Sequence, residues 1–168
     1  MISADGGGGL FFGYQTNSYP LLDEIANNSL GLAYYGGFGY GVGSNQGIVG
    51  GFGMAIMDID NETGIAGGFG GIVSGLRIVS RPINVSILSL TGFGGISAGF
   101  EPAGEYGGFF AISQELSLEL GIPILPWFMP TLYVGYQVVG SIIPGIPFGG
   151  FFSYTPVVGI RMQWGDFY

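Results

Sequence analysis

The chain has 168 residues, room for one domain, and only 8% of them are charged, against about 25% in ordinary soluble domains. It has no histidine, cysteine or lysine, and its few arginines leave a formal net charge of −8. These absences exclude Cys/His sites for zinc, iron–sulfur clusters or haem, Ser-His-Asp and Cys-His nucleophiles, disulfides and the P-loop lysine. Nucleic acid is excluded as a partner, because phosphate contacts need Lys and Arg.

Glycine is abundant, with 36 residues, yet 48% of the chain is hydrophobic and 15% aromatic, which disordered chains are not. No Gly-X-Y period suggests collagen. The mean hydropathy of +0.52 points to a membrane, but no run reaches the roughly 18 apolar residues of a spanning helix. A closed β-barrel remains, and its signal is alternation.

In chain order, Leu10, Phe12 and Tyr14 mark a first strand at about 8–15. From 30 to 42, Leu30, Leu32, Tyr34, Phe38, Tyr40 and Val42 share one face, and Gly31, Gly37, Gly39, Gly41 and Gly43 the other. A helix would scatter these classes, and each glycine in it would cost about 1 kcal/mol. After a turn at Gly43–Gln46, a strand at 47–57 sets Ile48, Phe52, Met54 and Ile56 against Gly47, Gly51 and Gly53. At 64–80 the apolar phase shifts, and a bulge at Gly70-Gly71 is expected. The strand at 83–96 is rich in Val and Ile but ambiguous in phase. At 106–120, Phe110, Ile112, Leu116, Leu118 and Leu120 oppose Ser113, Glu115, Ser117 and Glu119, the pattern of a lipid-facing side and a lumen side. Strands at 131–139 and 155–164 repeat it, with Leu132, Val134, Val158 and Ile160 outward and Arg161 inward.

The reading is therefore all-β: residues 1–168 form one eight-stranded antiparallel up-and-down transmembrane β-barrel. The connections Thr16–Ser29, Asp58–Thr63, Ser97–Glu105 and Gly140–Tyr154 are long and share one rim. Gly43–Gln46 and Arg81-Pro82 are short, and Gly121–Pro130 is longer, with Ile124, Leu125, Trp127 and Phe128 placed for an interfacial aromatic belt. In the lumen, Tyr35, Phe109 and Tyr133 are the expected large inward groups, and Gly37, Gly39, Gly41, Gly51 and Gly53 an almost empty wall. Eight strands leave an interior that side chains can fill, so a plugged lumen is expected over an open one.

Strand count, alternation and an aromatic-rich last strand, Val157–Trp164 with Asp166-Phe167-Tyr168 after it, resemble the small bacterial outer-membrane barrels of OmpA or OmpX type. The resemblance covers nearly the whole chain and is one of pattern. It implies a bacterial outer-membrane location, a lipid bilayer partner and insertion by the outer-membrane assembly machinery. Met1–Asp5 lacks the charged and apolar regions of a secretory signal. On the barrel reading a mature chain is expected; a chain complete from Met1 would weaken the export argument.

Two sets of residues stand out. Arg77, Glu115, Glu119 and Arg161 are expected to form an interior ion-pair cluster, because buried charges are normally paired. The cluster serves either as fixed structure or as a gate. Glu115 and Glu119 lie four residues apart on one strand face, roughly 13 Å, too far for a glycosidase pair. Asp23, Glu24, Asp58, Asp60, Glu62, Glu101 and Glu105 give a one-signed acidic rim on the long-connection side. Within it Asp58–Glu62 is only a fragment of a calcium loop. Gly-Gly-Phe recurs at irregular spacing, which supports no repeat architecture. No catalytic residue, metal or cofactor is expected. The function expected is a non-enzymatic structural or surface-exposed barrel. The alternatives are a narrow pore or transporter for small solutes, and a self-assembling extracellular β filament or sheath subunit.

Overall fold

The computed structural model describes residues 5–16, 31–59, 66–80, 82–100, 105–142 and 151–167. The strands are β1 (Asp5–Gln15), β2 (Leu32–Val42), β3 (Gly47–Asp58), β4 (Ala66–Val79), β5 (Asn84–Phe100), β6 (Glu105–Gly121), β7 (Phe128–Ile142) and β8 (Phe151–Gly165). Each pairs antiparallel with its sequence neighbours, and β1 pairs with β8, so the sheet closes into a barrel. No helix among the described residues is long and apolar enough to cross a membrane.

The pairing fixes the barrel geometry. The row Asp5–Val42–Ile48–Gly75–Leu88–Ser117–Gly135–Val157 returns to β1 at Gln15, a stagger of ten residues per circuit. With 3.3 Å per residue and 4.8 Å between strands, strands tilt by about 40° to the axis. The last four strands have 15 to 17 residues and the first four 11 to 14, so the wall is taller over β5–β8.

The β2–β3 turn is closed by two backbone bonds, Gly43 N to Gly47 O at 2.8 Å and Gln46 N to Gly43 O at 2.9 Å. Gln46 sits at φ 65°, a left-handed conformation that disfavours any residue with a Cβ. Its carbonyl accepts from Arg77 N at 2.9 Å, which ties the turn to β4. The β6–β7 connection is six residues, 122–127, because β7 begins at Phe128 and not after Pro130. Trp127 packs on Phe128 and Phe128 on Trp164, with ring centroids 5.9 and 5.7 Å apart, forming an aromatic cluster at the short-connection rim. Near the opposite rim Phe93 and Phe110 stack outside at 6.5 Å.

Three expectations need correction. The ladder runs unbroken through Gly70-Gly71, and the irregularity on β4 lies instead between Arg77 and Val79. The apparent phase shift reflects a buried Phe69 followed by outward Ile72, Leu76 and Ile78. The second correction concerns β2 and β3. Their large residues Leu32, Tyr34, Phe38, Val42, Ile48, Phe52, Met54 and Ile56 point into the barrel. Gly39, Gly41, Gly51 and Gly53 are on the outer surface, with Gly37 on the same face, and line no interior wall. Third, Tyr35 is outward, while Tyr133 is inward and buried; the side chain of Phe109 lies outside the described part of the structure.

The interior consequently has two walls. That of β1–β4 is mainly apolar, built from Phe11, Tyr34, Phe38, Phe52, Phe69 and Val73, with Gln15, Asp58 and Arg77 toward its ends. That of β6–β8 is mainly polar, built from Ser113, Glu115, Ser117, Glu119, Thr131, Gln137, Thr155, Arg161 and Gln163. Outside, β6–β8 present Leu116, Leu118, Leu120, Leu132, Val134, Val138, Val158 and Ile160.

Candidate functional site: the charged lumen

Period two places Glu115, Ser117 and Glu119 in one inward column on β6, and Arg161 and Gln163 on β8. β7 lies between, so the Arg161 side chain crosses over β7 to reach the carboxylates of β6. Arg161 Nη2 lies 2.9 Å from Glu115 Oε1, and Nη1 meets Glu119 Oε1. Nη2 also donates to Ser117 Oγ at 3.5 Å. One guanidinium thus holds two carboxylates, and all three groups are at most 4% exposed.

Aromatic rings complete the setting. The Arg161 Cζ is 4.3 Å from the Tyr133 ring centroid, 5.6 Å from that of Phe38 and 5.8 Å from that of Phe11. At such distances the ring faces attract the cation. Tyr133 and Tyr34 share a hydroxyl hydrogen bond of 2.8 Å across the lumen. Gly13 and Gly159 make this possible, since a Cβ at either would collide with the Tyr133 hydroxyl. The sequence reading missed this cage because it set the large face of β2 outward. The glycine at 13, opposite a tyrosine at 34 in the β1–β2 ladder, is the signal that was available.

Further toward the short-connection rim, Tyr40 donates to Gln163 Oε1 at 2.7 Å and Gln163 Nε2 to Thr131 Oγ1 at 2.9 Å. Arg77 is inward and buried. It lines a cavity of about 10 Å³ with Tyr40, Asn84, Ser86, Glu119 and Gln163, room for one water. The structure therefore joins Glu115, Glu119 and Arg161 directly. Arg77 lines the same cavity as Glu119 and interacts with Tyr40, and among the described residues it forms no ion pair.

Asp58 is not a loop residue: it ends β3, pairs with Leu32 and is buried inward. Asp23, Glu24, Asp60, Glu62 and Glu101 lie outside the described residues. Glu105 is placed in β6 through its backbone pairing with Phe100. Among the described residues no three His, Cys, Asp or Glu side chains group closely enough to hold a metal. Chemically, the lumen can hold fixed charges in place.

The fold is a closed eight-stranded antiparallel up-and-down β-barrel. Among solved structures the chain is similar to Neisserial surface protein A, with a TM-score of 0.69 and 8% identity over 97% of each chain. No protein-family model matches the sequence, and no curated protein matches it.

Proposed function

We propose that the protein is a non-enzymatic bacterial outer-membrane barrel with a structural or surface-exposed role and a lumen closed to solutes. The carrying observation is the pairing of an apolar outer band on β6–β8 with an interior locked by Arg161, Glu115 and Glu119. Apolar outside and polar inside suits lipid around a sealed core. The aromatic cluster of Trp127, Phe128 and Trp164 suits a membrane interface. The barrel fold shared with a neisserial surface protein supports the same location. Insertion by the outer-membrane assembly machinery belongs to this reading.

Planar-bilayer recording tests it. Protein refolded in detergent and added to a bilayer should insert without steady conductance. Large, non-selective, stable openings from monomeric protein would favour the solute-pore reading instead. A chain that stays dispersed without detergent, or sediments as an ordered polymer, would overturn the membrane reading.

A further inference from the structure

Among the described residues the outer surface carries a polar patch amid apolar neighbours. Ser74 on β4, Ser89 and Thr91 on β5 and Gln114 on β6 all point outward. Gln114 Nε2 donates to Ser89 Oγ at 2.7 Å, and Thr91 Oγ1 donates to Gln114 Oε1 at 2.6 Å. Among the described residues the Ser74 hydroxyl has no side-chain partner, and the Ser89 hydroxyl accepts but has no acceptor for its own hydrogen. On the membrane reading, which this inference rests on, these groups lie between the two aromatic rims and face lipid. A hydroxyl without a partner in hydrocarbon is costly.

We propose that this face binds a second copy of the chain, about a two-fold axis along the membrane normal that passes by Ser74. Such an axis keeps every residue at its own depth, so the face must be complementary to itself at matched heights. It is. Paired rows climb by roughly one and a quarter residues per strand around the barrel. Ser74 pairs with Val49 on one side and Ser89 on the other. At matched depth Ser89 therefore corresponds to Gly51, and Thr91 to Gly53. The axis sets Ser74 against its counterpart, so each unpartnered hydroxyl gains a partner. It sets Ser89 and Thr91 of one copy over the bare backbone at Gly51 and Gly53 of the other. A strip of three to four strands, roughly 20 Å by 25 Å, would bury about 1,000 Å² in total, the lower bound for a specific interface.

The chain has no cysteine, which makes oxidative cross-linking clean. Ser74→Cys in liposomes should give a disulfide-linked dimer at a yield about tenfold above that of Ile160→Cys, which lies on the opposite side of the barrel. A Cβ at Gly53 meets nothing within 4 Å, so Ser74→Cys combined with Gly53→Leu should still fold and insert while losing most of the cross-link. Sedimentation equilibrium in density-matched detergent should give a dimer for the native chain and a monomer for Gly53→Leu. A native chain that inserts as a monomer, equal cross-linking through Ile160→Cys, or a Gly53→Leu variant that still dimerises would each overturn the proposal. A chain that remains in solution without detergent would remove the membrane reading and the dimer with it.

Discussion

Arg161 is the residue on which the lumen turns. It pairs with two buried carboxylates and rests against three aromatic rings. Removing it leaves Glu115 and Glu119 buried with nothing to neutralise them, a loss of about 3–5 kcal/mol. Arg161→Ala should therefore lower the urea midpoint of refolded protein sharply. Replacing Glu115 and Glu119 by Gln in the same background should restore part of that loss. Equal stability of the Arg161→Ala variant and the native chain would show that the carboxylates carry no charge in the fold. At the surface, Gln46→Gly in the β2–β3 turn relieves a left-handed residue with a Cβ. It should stabilise by up to about 1 kcal/mol, read as a small rise in the same midpoint.

At the scale of the element, the contrast between β6 and β2 explains what could be read in advance. β6 has one face of leucines and one of serines and glutamates, so alternation alone assigns its sides. Leu118→Arg should cost about 2–4 kcal/mol if that position lies near the bilayer midplane. Spin labels at 116 and 118 should report lipid, and labels at 115 and 119 a protected interior. β2 has one large apolar face and one of glycine, and both are compatible with lipid. Alternation marked β2 as a strand but did not say which side faced out. The deciding quantity is volume: a polar wall made largely of short side chains on β6–β8 needs bulk opposite it, which Phe11, Tyr34 and Phe38 supply. That requirement belongs to the closed sheet and not to any single strand. The same holds for Arg77: its inward side followed from parity on β4, whereas its distance from the Arg161 group depends on barrel stagger. The acidic rim was read from connection lengths. Asp58 left it because β3 runs one residue further than its apolar pattern.

For the molecule as a whole, the two-walled interior separates insertion from closure. β6–β8 carry an apolar outer face and a polar inner one, so they are suited to lipid before the ring is complete. The bulk of β1–β4 points inward, and its contacts with β7 and β8, Tyr34 with Tyr133 and Phe11 and Phe38 with Arg161, form only when the ring closes through β1 and β8. The N-terminal half should thus gain most of its stabilisation in the last step of folding. Both tryptophans, Trp127 and Trp164, sit at the short-connection rim beside β7 and β8, so their fluorescence follows the C-terminal half into the bilayer. Phe38→Ala should lower stability by about 3–5 kcal/mol yet leave the rate of the tryptophan fluorescence rise in liposomes unchanged, with faster unfolding absorbing the loss. A matching slowdown of the fluorescence phase would mean that the two halves enter the membrane together.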